Sequence, residues 1–292
     1  MFKINFLKKN LNNFLKLYSR KPIKNNFSGM RLEHCYALYS ILKKINPSNV
    51  IESGVWKGQT TWLIRKSLKS AKIFSIDTDL NQREFLLNNV KYLNKDITQY
   101  DWSNLNKKKT IIIFDDHICF SKRINFLLKN KFKHIIFDDN LPNNFISYYT
   151  PKMVYEKQIL VKKEYINYYN VKRLFVFFLN YFLYKKYRKK IKVYFFLKYL
   201  IIKHKPYFNK ELKKNMNEFR KKISLYYEFP PIIKFNINKR FKKLKNKYKI
   251  NLSNFKYRTK SPITDKSFFI NKKKYIDEMS IQYGNICYIR LK

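Results

Sequence analysis

"IIIFDDHICFSKRINFLLKNKFKHIIFDDN", residues 111–140, contains the phrase FDD twice, each time straight after a run of large apolar residues. Residues 121–130 between the copies read as a helix, so the stretch is strand, helix, strand, the length of one right-handed crossover unit. Asp116 and Asp139, 23 positions apart, should then sit at the carboxyl ends of neighbouring parallel strands. A chain with 64 basic and only 19 acidic residues places four carboxylates there, and that calls for a reason.

The same alternation extends upstream. Residues 31–45 place Leu32, Cys35, Tyr36, Tyr39 and Leu42 at helical spacing, and Pro47 stops the helix. "NVIESGV" (49–55) is then a strand, "GQTTWLIRKSL" (58–68) a helix, "AKIFSIDTD" (71–79) a strand, "NQREFLLNNV" (81–90) a helix and "VKYLNKD" (90–96) a strand. Strands separated by helices predict a parallel sheet covered on both faces. After Tyr155 a Lys-, Tyr- and Phe-rich stretch reads as a helical insertion, and strand texture returns at residues 223–235 and 285–291, with one helix expected near Lys239–Lys247. Seven strands are then available, and the chain divides into an amphipathic segment (1–28), an α/β core (29–156), the insertion (157–222) and strands completing the sheet (223–292).

The formal net charge of +45 admits two readings. An A+T-rich coding sequence would produce this excess of Lys, Asn, Ile, Phe and Tyr, whereas a functional basic surface would attract polyanions or anionic membrane at low salt. Cys35, Cys119 and Cys287 lie far apart with no CxxC spacing, which fits a reducing, cytoplasmic setting and suggests neither a disulfide framework nor a zinc site. The first 21 residues mix Lys and Asn into their apolar positions and read as a basic amphipathic helix rather than a signal peptide. The longest apolar runs, 174–184 and 193–202, fall short of the ~20 residues that span a bilayer.

Two of the four glycines, Gly54 and Gly58, fall within "IESGVWKGQTT" (51–61), a strand-to-helix turn. That suggests positive φ or the close approach of a ligand, with an ordinary tight turn as the alternative. The stretch lacks the Gly-Lys-Ser/Thr ending of a P-loop and the GxGxxG of a dinucleotide site. Asp77 ends the next strand, where a carboxylate can accept both ribose hydroxyls, or else cap a helix, for which Asp79 is better placed. Asp96 follows a third strand and, with Glu52, completes a nucleoside pocket at the strand ends. The paired carboxylates either share a hard cation such as Mg²⁺ or act as caps and salt-bridge partners for the abundant lysines.

These residues resemble the class I S-adenosylmethionine-dependent methyltransferases, in particular the metal-dependent O-methyltransferases of the catechol type and their macrocin and cephalosporin-hydroxylase-like relatives. The resemblance covers about Glu33 to Asn140 and the two late strands. It implies a doubly wound, mostly parallel, seven-stranded Rossmann-like α/β sheet, here with a basic aromatic helical insertion. "ESGVWKGQT" would place Glu52, Gly54, Gly58 and Thr60 around the methionine part of the cofactor, Asp77 at its ribose and Asp96 on its adenine side. "FDDH" and "FDDN" would assign a metal role to Asp116, Asp139 and Asn140. The family's base, a lysine two positions after the Asp-His pair, is here replaced by Cys119; His117 and Lys122 are the nearby substitutes, and His117 suits proton acceptance near neutrality.

The resulting expectation is an S-adenosylmethionine-dependent, Mg²⁺-assisted O-methyltransferase acting on a small molecule or sugar. Its rival is a membrane- or nucleic-acid-binding protein on a degenerate methyltransferase scaffold, peripheral to an anionic membrane and using basic aromatic helices. No base-flipping N/D-P-P-Y/F motif favours a nucleic-acid substrate.

Overall fold

The computed structural model describes residues 2–26, 29–140, 149–157, 210–233, 262–278 and 286–292. Residues 1–158 and 214–292 form one compact unit. A second, 159–213, lies outside the described residues except for 210–213. Most of the expected insertion and the helix expected near residues 239–247 fall outside them as well.

Strands β1 (Asn49–Ser53), β2 (Lys72–Ile76), β3 (Lys91–Leu93), β4 (Thr110–Phe114), β5 (His134–Phe137), β6 (Ile223–Glu228) and β7 (Cys287–Leu291) form one sheet in the order β3-β2-β1-β4-β5-β7-β6. The first five are parallel to one another, and β7 runs antiparallel to both β5 and β6. The expected seven-stranded, mostly parallel sheet is therefore present.

Strand pleating divides the core in two. Along β4, Ile111 and Ile113 join one apolar cluster while Ile112 and Phe114 join the other; Val50 and Ile51 split in the same way. The first cluster takes in side chains of α1 (Ile4–Tyr18), α2 (Leu32–Ile45) and α3 (Gln59–Ser67), the second those of α4 (Phe120–Asn130), α5 (Pro151–Tyr155) and α6 (Lys210–Lys222). Helices thus cover both faces, and the apolar runs of β1, β4 and β5 are explained by double-sided burial.

Two local expectations change. Residues 81–90 form no helix: a short 3₁₀ turn, Leu80–Gln82, is followed by an irregular loop. Phe85, Leu86 and Leu87 are contiguous rather than helically spaced, and the Glu84 and Phe85 N–H groups donate to the Lys57 carbonyl instead of closing helical turns. Helix α1 is amphipathic as expected, but Leu7, Leu11, Phe14 and Leu15 are buried, Phe14 packing on Tyr36 and Tyr39 of α2. Its apolar face is spent inside the protein and is not available to a lipid surface. No helix among the described residues is long and apolar enough to cross a membrane.

Candidate functional site

At the carboxyl ends of β1–β4 lies a cavity of about 320 Å³, lined by Gly29, Ser53, Gly54, Trp56, Ile76, Asp77, Thr78, Lys95, Asp96, Asp115, Asp116, His117, Ile118 and Arg123. Crevices outside the strand ends are where open α/β sheets hold ligands. The turn after β1 builds one wall. Gly54, at φ +100, donates its N–H to the Ile76 carbonyl, and a Cβ there would stand 2.2 Å from the Asp115 carbonyl oxygen. Only glycine lets β1 and β4 close this tightly. Gly58, at φ +90, serves a different neighbour: its missing Cβ leaves room for the Phe85 carbonyl.

Asp77 holds the turn. Its Oδ2 accepts the N–H groups of Val55 (2.9 Å) and Trp56 (3.1 Å), and its Oδ1 accepts that of Asp79 (3.0 Å). The capping role falls to Asp79, which accepts from Asn81 N–H. Asp96 lines the cavity, but both its oxygens are engaged by Arg123 at 2.9 and 2.8 Å; burial opposes the charge, yet Arg123 and Thr98 hold its pKa down at about 2. Glu52, Gly58 and Thr60 do not line the cavity. Glu52 faces α3 from within β1, fully buried, and accepts from the hydroxyls of Thr61 (2.6 Å) and Ser75 (2.5 Å).

The two FDD phrases meet as the crossover implied, through the parallel β4–β5 pairing. Asp139 Oδ2 lies 2.5 Å from His117 Nδ1, and both residues have left-handed backbones, φ 54 and 53. Such conformations concentrate at functional sites and need a rigid surround. The Asp139 hydrogen bond raises the His117 pKa, against burial. Beneath them, Asp138 forms an ion pair with His34 of α2 at 2.7 Å; burial alone would lower the His34 pKa, but Asp138 lifts it to about 9. Burial, with Asp138 and Asp139 beside it, holds the Asp115 carboxyl well above the usual range.

The three residues expected to hold a cation are each engaged by protein groups, Asp139 by His117. Asp116 accepts from Ser53 Oγ (2.6 Å), Arg123 Nη2 (2.6 Å) and Ile118 N–H (3.1 Å). Asn140, 1% exposed, is committed to the packing of β6 and α5: its Oδ1 accepts Lys152 N–H and its Nδ2 donates to Tyr226 OH. Among the described residues, no three His, Cys, Asp or Glu side chains are grouped to hold an ion.

A two-sided parallel sheet, a glycine turn after β1 and an acid at the end of β2 now stand together. The fold is that of a class I methyltransferase. No protein-family model and no curated protein matches the sequence. Solved structures match in part. A CmcI structure with SAH is 18% identical over 44% of this chain and 77% of its own, with a TM-score of 0.32. A CmcI structure with Mg-SAM is 18% identical over 43% and 65%, with a TM-score of 0.32. The Podospora anserina methyltransferase PaMTH1 bound to SAH is 11% identical over 48% and 68%, at 0.34. Each of these likenesses leaves over half of this chain unmatched.

Sequence reasoning passed over His34 and Arg123, and it counted Asp115 and Asp138 among the paired carboxylates without giving either a role of its own. The first of each Asp pair was visible, but its inward direction follows from the strand pleat and not from the motif. Arg123, seven residues after Asp116, had a faint signal in being an arginine in a chain that otherwise favours lysine.

Two buried groups make stability fall as pH rises. Glu52 titrates near 4.5 when unfolded and at about 7 in the fold, because burial outweighs its two hydroxyl donors; His34 moves from 6.5 to about 9. Both bind protons more tightly when folded, so their contribution is complete below the unfolded values and is lost as pH rises through the folded ones. Glu52→Gln, which keeps the hydroxyl partners, should flatten the fall in stability between pH 4.5 and 7 by about 1–3 kcal/mol and leave the His34 limb between pH 6.5 and 9. Urea denaturation at half-unit pH steps checks it; parallel wild-type and variant curves would refute the assignment.

Proposed function

We propose that the chain is an S-adenosylmethionine-dependent methyltransferase acting on a hydroxyl of a small molecule, with a sugar as the preferred class. The observation that carries this is electrostatic. In a chain of net charge +45, the cavity is walled by Asp77, Asp96 and Asp116, beside an Asp115 that burial drives toward its neutral form, and its basic groups are Lys95, His117 and an Arg123 already bound to Asp96 and Asp116. Such a wall disfavours phosphorylated ligands and favours a cationic one such as a sulfonium with its ammonium group. The close turn at Gly54 and the acid at the end of β2 fit the rest of that cofactor.

When bound, the cofactor supplies an electrophilic methyl group. Asp77 Oδ2 is filled by the Val55 and Trp56 N–H groups, whereas Oδ1, which accepts from Asp79 N–H, keeps a second lone pair placed to accept a ribose hydroxyl. His117 donates Nδ1–H to Asp139, which leaves Nε2 as an acceptor for the proton of the attacking hydroxyl. Its side chain is 62% exposed, so a substrate can reach it. Because no covalent intermediate on the protein is needed, the chain's task is positioning and deprotonation. The free thiols of Cys35, Cys119 and Cys287 support a reducing, cytoplasmic setting.

Calorimetric titration with S-adenosylhomocysteine tests this reading. The wild type should bind with micromolar affinity, and Asp77→Ala should weaken binding by about tenfold or more. His117→Ala should bind the cofactor normally yet lose about 10²- to 10⁴-fold in methyl transfer to a panel of polyhydroxylated acceptors. Failure of the wild type to bind would remove the proposal.

A further inference from the structure

The site expected to hold a metal holds a guanidinium, and we propose that Arg123 is a built-in cation that positions the pocket's carboxylates and makes a divalent metal unnecessary. The inference rests on the cofactor reading above. Arg123 projects from the first turn of α4 with its side chain only 3% exposed. Its Nη1 and Nη2 grip the two oxygens of Asp96 at 2.9 and 2.8 Å, and Nη2 also donates to Asp116 Oδ2 at 2.6 Å. Bidentate pairing of this kind fixes direction as well as distance. The guanidinium lies 5.5 Å from the centre of the Phe114 ring, which limits where it can move.

One residue therefore ties the segment after β3 to the end of β4, and both tied carboxylates line the cavity. A hydrated dication at Asp116 would have to break the Arg123 Nη2 contact and would face a buried guanidinium that Asp96 still holds beside it, so that two like charges would meet. The remaining expected ligands give no help: Asn140 is spent on Tyr226 and Lys152, and Asp139 on His117. A covalently held cation is present at every metal concentration, whereas an Mg²⁺ site of one or two carboxylates depends on supply.

The experiment uses the full chain with MnCl₂, MgCl₂ and S-adenosylhomocysteine. By electron paramagnetic resonance the wild type should bind no stoichiometric Mn²⁺ at about 0.5 mM, and its S-adenosylhomocysteine affinity should agree within about twofold in EDTA and in 5 mM Mg²⁺. Arg123→Met, which frees Asp96 and Asp116, should weaken S-adenosylhomocysteine about tenfold or more and acquire a Mn²⁺ response that a merely structural arginine would not hide. Arg123→Lys, able to reach one carboxylate but not to fork across two, should fall between. Stoichiometric sub-millimolar Mn²⁺ in the wild type, lost in Asp116→Asn, would overturn the inference. So would an Arg123→Met protein that folds and binds the cofactor as the wild type does. Absence of any S-adenosylhomocysteine binding would instead count against the cofactor reading, while the wild-type Mn²⁺ titration would still decide the metal question.

Discussion

Gly54→Ala is expected to cost about 3 kcal/mol or more in stability and to abolish cofactor binding. Two effects add. The backbone sits at φ +100, a conformation L residues rarely adopt, and the new Cβ would stand 2.2 Å from the carbonyl oxygen and 2.5 Å from the carbonyl carbon of Asp115. Those atoms are backbone just beyond β4, whose next N–H is tied to Ser53 at 2.8 Å, so nothing can yield without parting β1 from β4. Parting them opens the wall of the cavity. Gly58→Ala should cost less, about 1–2 kcal/mol, although it also has positive φ, because its neighbour is the Phe85 carbonyl in an irregular loop that can shift. Urea denaturation and S-adenosylhomocysteine titration of both variants rank them. Equal losses would mean that the β1–β4 approach is not what Gly54 protects.

The contrast between these glycines shows what a sequence carries. That both needed freedom was visible from their scarcity, but which neighbour each one meets depends on register across the sheet. Strands β1, β4 and β5 were legible because double burial leaves uninterrupted apolar runs such as Ile111–Phe114. The 81–90 segment was not, because its apolar residues serve a loop fastened by the Lys57 carbonyl, a partner some 27 positions away that no local pattern reports. The paired aspartates were located correctly as neighbours. Their partners were not foreseen: His34 lies on a helix about 100 residues before Asp138, and the counter-charge for Asp116 is an arginine rather than one of the numerous lysines. Short phrases fix positions along strands, whereas counter-ions come from whichever helix the crossover returns.

A second large effect is expected away from the cavity, where Lys152 of α5 meets Glu228 of β6 at 2.8 Å with side-chain exposures of 8% and 0%. Lys152→Ala should destabilise the protein by about 3–5 kcal/mol, since it strands a carboxylate that has lost its cation inside the fold. The double substitution Lys152→Met with Glu228→Leu should recover most of that loss, because two packed apolar chains carry no desolvation penalty. The consequence should also reach the site. Asn140 is held by the Lys152 N–H and by Tyr226 OH, which itself donates to Glu228, so loosening α5 releases the residue that follows Asp139. Asp139 keeps its left-handed backbone, and hence its place beside His117, only while that anchor is rigid. Lys152→Ala should accordingly lose methyl transfer at temperatures where it is still folded, whereas Asp77-dependent cofactor binding, on the far side of β4, should persist. If chemical denaturation found the single and double variants equally stable, the buried pair would be no more than packing, and the proposed link from β6 to the His117–Asp139 pair would go with it.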